Sequence, residues 1–131
     1  KWSSVGSAIN AFVSAPGNTG ISVGLQYFPL GNNTTMCDVA TYATPAVPIE
    51  PLPGAATDIE TSISGNSPNG STPTVAAITA ATDYASTWAM AHTSDATVVV
   101  FATDGEPEGC SGNTISAAAS GFAEWVAAIS M

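Results

Sequence analysis

The sequence predicts an α/β fold, a sheet carrying helices on both faces, and three observations carry that expectation. Segments with apolar residues at helical spacing are interspersed with segments of strand character, the order expected when helices cover both sides of a sheet. One segment, Thr97-Val98-Val99-Val100-Phe101-Ala102, is a continuous apolar run, as a parallel strand covered on both faces requires. That run stops at Thr103-Asp104-Gly105, a sequence suited to a turn.

Taken in order, Ser3-Ser4 precede Val5, Ile9, Phe12 and Val13 at helical spacing, and Pro16-Gly17 ends that helix. Ile21, Val23, Leu25 and Tyr27 alternate with Ser22, Gly24 and Gln26, a strand pattern stopped by Pro29. From Gly31 to Pro48 the chain is polar and turn-rich. Val47 to Leu52 is broken by Pro48 and Pro51, so it is at best an edge strand. Ala55 to Ser64 reads as a short helix with Ile59 and Ile63 on one face, and Asn66-Ser67-Pro68-Asn69-Gly70 as a loop. Pro73 to Ala91 follows as a helix with Thr72 as its N-cap. Its apolar positions Val75, Ile78, Tyr84 and Trp88 are diluted by alanines, which suits close packing of helix on sheet. The last helix, Thr114 to Ile129, places Phe122, Trp125, Val126 and Ile129 on one stripe. No internal repeat is present, and the expectation is one domain over residues 1–131.

Composition narrows the class of function. The chain has 131 residues, 45% of them hydrophobic and 8% charged, with one Lys+Arg against ten Asp+Glu and a net charge of -9. A single basic residue, Lys1, cannot neutralise a phosphate backbone, so nucleic-acid binding is excluded, and the negative charge argues against anionic lipid surfaces. No apolar run approaches the roughly 20 residues of a membrane span. Proteins, glycans or cations remain as partners.

Cys37 and Cys110 are 73 positions apart, too far for a local metal knuckle or redox pair. They are either two buried thiols or one disulfide. Both lie in polar, turn-rich surroundings, which favours the disulfide and with it a secreted or cell-surface protein. The Lys-poor, Ala/Ser/Thr/Gly/Asn-rich composition points the same way.

Chemistry-bearing residues concentrate in two places. Asp104 falls where the apolar run ends, and ligands of open α/β sheets bind at the carboxyl ends of strands. Thr72 opens the helix after the Asn69-Gly70-Ser71 loop. A hydroxyl and a carboxylate converging there suit a hard divalent cation such as Mg²⁺ or Ca²⁺; the same residues also suit a helix cap and a turn. Glu106 and Glu108 make three carboxylates within five residues, read as a solvated acidic loop before a calcium site or an acid–base pair. His92 is the one histidine, at a helix C-terminus where its charge is ordinarily favourable, and no nucleophile elbow accompanies it. Trp2, Trp88 and Trp125 sit at apolar helical positions and read as packing residues. Tyr42, in a Pro-containing loop, reads as a contact residue on the surface.

These segments resemble the von Willebrand factor type A domain in its acidic, bacterial surface form. The residues that carry the resemblance are the opening Lys1-Trp2 helix, Gly20 to Pro29, Ile49-Glu50-Pro51-Leu52-Pro53, Gly70-Ser71-Thr72-Pro73-Thr74 and Phe101-Ala102-Thr103-Asp104-Gly105-Glu106-Pro107. The resemblance implies a Rossmann-like, doubly wound, mostly parallel sheet. It also implies a metal-ion-dependent adhesion site at the sheet's top edge, to which Thr72 and Asp104 would contribute. The family's leading Asp-x-Ser-x-Ser strand has no counterpart after Lys1, and the family's last strand would follow Met131, so the resemblance implies a domain truncated at both ends.

The expected function is therefore non-enzymatic: adhesion or protein interaction at the sheet-top edge, with Mg²⁺ or Ca²⁺ bridging where further ligands are supplied. Glu106, Glu108 and Tyr42 are the expected partner contacts. The competing expectation is a structural subunit of an extracellular assembly or filament, its metal site vestigial and its sheet completed by a neighbouring chain, which a second copy in a homo-oligomer could supply. A hydrolase built on Asp104, Glu106 and Glu108 is the weakest of the three.

Overall fold

The computed structural model describes residues 1–67 and 69–129, with side chains as far as residue 123. Its elements are α1 (Trp2–Val13), β1 (Ser22–Leu25), β2 (Val47–Pro51), α2 (Ala56–Gly65), α3 (Thr74–Ala91) and α4 (Ile115–Ile129), with short 3-10 turns at Pro16–Asn18 and Val39–Tyr42. All four helices fall where apolar periodicity places them.

The doubly wound parallel sheet does not form. Among the described residues the sheet has two strands, β1 and β2, and they are antiparallel, with Ser22 opposite Pro51, Val23 opposite Glu50 and Leu25 opposite Val47. The register slips between Val23 and Leu25, at Gly24, where a side chain would begin 2.8 Å from Ile49 Cγ1. Pro48 and Pro51 are tolerated because a strand with one neighbour leaves alternate N–H groups unused. The apolar run at Thr97–Ala102 has no assigned secondary structure and, among the described residues, belongs to no strand pair. Its composition is that of a buried parallel strand, yet Val98 is 74% and Val100 87% exposed. A strand acquires two covered faces only if neighbours pair with it and helices pack above and below, and composition cannot supply the neighbours.

The chain divides into two compact units, Lys1–Gln26 with Thr44–Asn69, and Tyr27–Ala43 with the chain from Gly70 onward. In the first, Val13, Val47, Leu52, Ala55, Ile59 and Ile63 form a buried cluster, with Trp2, Ile9, Val23 and Leu25 packed against it. Helices α1 and α2 approach closely because Gly6 has no side chain: a Cβ there would lie 2.9 Å from Ile63 Cγ2. Trp2 adds a hydrogen bond from its indole N–H to the Asn66 carbonyl at 3.1 Å, and Ser14 Oγ donates to the Glu60 carboxylate.

In the second unit α3 is the central element. Its alanines do not meet a sheet. Ala76, Ala77 and Ala80 instead receive Tyr42, Phe28, Leu30 and Phe101, small residues allowing the bulky ones to lie close. Helix α4 packs on α3 where Gly121 faces Ile78, with 3.5 Å between its Cβ position and Ile78 Cγ2. Thr114 caps α4, its hydroxyl accepting the Ala117 N–H at 3.1 Å. Of the predicted stripe on α4, the Phe122 side chain is described; those of Trp125, Val126 and Ile129 lie outside the described side chains.

Candidate functional site

Helix α3 begins at Thr74 with Pro73 at the N-cap position and no side-chain cap of its own. Proline cannot cap through its side chain, and Thr72, the expected cap, does not do so. The orphan N–H of Val75 is taken by a residue 38 positions away: Asn113 Oδ1 accepts it at 2.9 Å. The same side chain uses its Nδ2 to donate to the carbonyls of Thr72 at 2.7 Å and Glu108 at 2.9 Å. Asn113 is 8% exposed, so these bonds work where water competes little.

Around this residue the loop 103–110 is fastened to the start of α3. The Thr72 carbonyl also accepts from Glu108 N–H at 3.0 Å and Thr74 N–H at 2.8 Å. Thr103 Oγ1 accepts the Gly105 N–H at 3.2 Å and lies 3.1 Å from the Gly105 carbonyl, a side-chain turn that shapes the loop. Gly109 takes a φ of +82°, and a Cβ there would stand 2.8 Å from Ser71 Cβ, so the loop backbone can approach Ser71 only as glycine. Cys110 is then bonded to Cys37 as a disulfide, the pairing favoured from the sequence.

Thr72 and the Asp104–Gly105 turn are brought together: a side chain on Gly105 would start 3.5 Å from Thr72 Oγ1. The site is therefore the N-terminal end of a helix and the loop clamped to it, in place of the top edge of a doubly wound sheet. Asp104, Glu106 and Glu108 are all exposed and, among the described residues, none forms an ion pair. Acidic groups near a helix N-terminus are electrostatically favourable, and here they stand on a backbone held from three sides.

As a cation site the arrangement is thin. Thr72 offers one hydroxyl and Asp104 one carboxylate, and among the described residues no cluster of three or more His, Cys, Asp or Glu is arranged to hold a metal. Mg²⁺ and Ca²⁺ need about six or more oxygens, of which water supplies only part. Thr72 and Asp104 by themselves supply two of those oxygens.

Beside the loop lies an apolar groove of about 310 Å³, walled by Ile78, Phe101, Ile115, Ala118 and Phe122, with Glu106 its one charged lining residue. Phe101 anchors it, stacked on Phe28 with centroids 4.7 Å apart and edge-on to Phe122 at 6.2 Å.

Two expectations about other residues change. Tyr42 is not a surface contact: it is 2% exposed, its hydroxyl donating to the Met36 carbonyl at 2.7 Å and accepting the Leu30 N–H at 3.3 Å. Burial raises its pKa above the ordinary tyrosine value, while the Leu30 bond pulls the other way. Its aromatic ring finds the alanine face of α3, a partner no local pattern reveals. Trp88 packs against His92, ring centroids 3.8 Å apart and nearly parallel. His92 Nδ1 lies 2.9 Å from the Trp88 carbonyl; a carbonyl only accepts, so Nδ1 carries the proton. The histidine is engaged in ending α3, as its position suggests.

Asn113 escapes the sequence reading altogether. The signal available was an amide between Gly112 and Thr114, three residues after Cys110, and such a residue ordinarily reads as an exposed turn.

Comparison with family models, with curated proteins and with solved structures yields no match.

Proposed function

We propose that this chain is a non-catalytic protein-interaction domain of a secreted or cell-surface protein, holding its partner at the start of α3 through Thr72 and residues 103–108. The observation that supports this reading is the fastening of the acidic loop: three exposed carboxylates, with no ion pair among the described residues, stand on a backbone tied down by Asn113, by Thr72 and by the Cys37–Cys110 disulfide. Rigid presentation lowers the ordering cost of binding. The disulfide fits an oxidising compartment, and no described helix is long and apolar enough to cross a membrane. Complementary partners present lysine or arginine to the carboxylates and an apolar side chain to the groove beside Glu106.

The test is capture of surface proteins by the immobilised chain, compared with a D104N/E106Q/E108Q variant and with M90D as a distant control. Capture lost in the triple variant, kept in M90D and indifferent to chelator supports the reading. Equal capture by wild type and triple variant sinks it.

A second reading, a structural subunit of an extracellular assembly, is favoured by one observation, the run at Thr97–Ala102, which pairs with no strand among the described residues. Sedimentation at micromolar concentration separates the two: a strictly monomeric chain removes self-assembly.

A further inference from the structure

We propose that residues 97–101 form a docking edge for a strand of another protein, an extended, uncharged, β-branched segment with a basic residue at each end. The docking edge itself is the backbone of residues 97–101, outside the site at α3, and it shares Asp104, Glu106 and Glu108 with that site as one charged flank.

Three observations carry it. First, among the described residues the backbone groups of 97–101 make no backbone hydrogen bond, and the segment belongs to no strand pair. Peptide groups held in a row without partners are a template that only another extended backbone matches. Second, the segment has the burial pattern of a strand. Thr97, Val99 and Phe101 are half-buried while Val98 and Val100 are exposed, the alternation of a strand with one covered face. Phe101 holds that covered face through its stacking on Phe28 and its edge contact with Phe122. The outer face offers valines at 74% and 87% exposure, with no Gly, Pro or charge in the run, the composition that pairs most readily.

Third, the charges on either side select the occupant. Asp95 is exposed before the run and Asp104, Glu106 and Glu108 after it. A second copy would bring the same acidic flanks and a net charge of -9, with one Lys+Arg to offset them. Like charges opposite one another disfavour that pairing, and basic ends on a different strand favour theirs.

The probe is a short synthetic peptide alternating valine and threonine and ending in lysine at both termini, with a glutamate-ended version for comparison. The expected result is amide-exchange protection rising by about tenfold or more within residues 97–101 of the whole chain. At low salt, affinity for the lysine-ended peptide should be about tenfold tighter than for the glutamate-ended one. V100D, on a side chain already in solvent, lowers that affinity, and M90D, at another exposed apolar residue, does not. No protection at 97–101 under saturating peptide overturns the proposal. So does protection confined to 103–108, which would mean that the lysines alone bind the acidic loop. Protection of 97–101 in the chain alone, reversed by dilution, overturns it in favour of a second copy.

Discussion

Asn113 joins Val75 across 38 residues, its Oδ1 2.9 Å from the Val75 nitrogen, while its amide nitrogen holds the carbonyls of Thr72 and Glu108. One amide therefore caps a helix and fixes the loop that carries the acidic site. Truncation leaves a helix N–H short of a partner and frees the loop. N113A is expected to cost about 2–3 kcal/mol, measured by urea denaturation. N113D keeps the acceptor but turns a second oxygen toward two carbonyls, so it should fall no closer to wild type than N113A. Wild-type stability in either variant would remove Asn113 from this role.

Tyr42 makes stability depend on alkaline pH. Its pKa is raised in the folded chain by burial, so the unfolded chain ionises first. The stabilisation is complete below the ordinary tyrosine value of about 10 and is lost as pH rises through the higher folded value. Y42F removes both the hydroxyl bonds and the ionisation. Below about pH 9 it should be less stable by about 1–2 kcal/mol, and above about pH 10 that gap should narrow. Parallel denaturation curves at all pH values would refute the assignment.

The disulfide closes a long loop, its cysteines separated by 73 positions. Restricting the unfolded chain to that extent is worth about 4 kcal/mol. Reduction, or a C37A/C110A variant, is expected to lower the unfolding free energy by that order and to increase amide exchange in 103–110. An unchanged denaturation midpoint after complete reduction would contradict this.

Gly6 sits inside α1, where alanine would ordinarily stabilise a helix by about 1 kcal/mol. Here the added Cβ meets Ile63 Cγ2 at 2.9 Å. G6A is therefore expected to bring no gain, and G6L to destabilise by about 2 kcal/mol or more as α1 and α2 are forced apart. A G6L protein as stable as wild type would show that the helices do not meet at this glycine.

Divalent cations supply a further check. A ligand stabilises the fold in proportion to the logarithm of its concentration over its Kd. With two donors at Thr72 and Asp104, millimolar Mg²⁺ or Ca²⁺ should leave the melting temperature unchanged within about 1 °C, and T72V should behave the same. A clear upward shift that T72V and D104N abolish would establish a cation site.

The helices were legible because their evidence is local. Ile59 and Ile63 four apart, the alanine-rich run after Pro73, and Pro16-Gly17 after Val13 each state a period and a stop within a few residues. The sequence paired Thr72, at a helix start, with Asp104, at the end of an apolar run; the structure sets Thr72 against Gly105, without the parallel sheet expected to align them. Tyr42 and Asn113 were misread or missed for a common reason. A tyrosine among prolines and an amide among glycines have the local character of surface turns, and each is buried by elements remote in sequence.

The acidic charge, the placement of four helices, the edge character of Val47–Pro51 and the favoured pairing of two cysteines were determined by the sequence itself, because each depends on residue type or on short-range spacing. Only the tertiary structure decided that β1 and β2 pair antiparallel, that Val98 and Val100 face solvent, and that one asparagine secures the acidic loop. Those outcomes turn on which distant segment supplies the missing hydrogen bond or the covering surface. The run Thr97–Ala102 has the composition of a buried strand, yet among the described residues no element covers the face that carries Val98 and Val100.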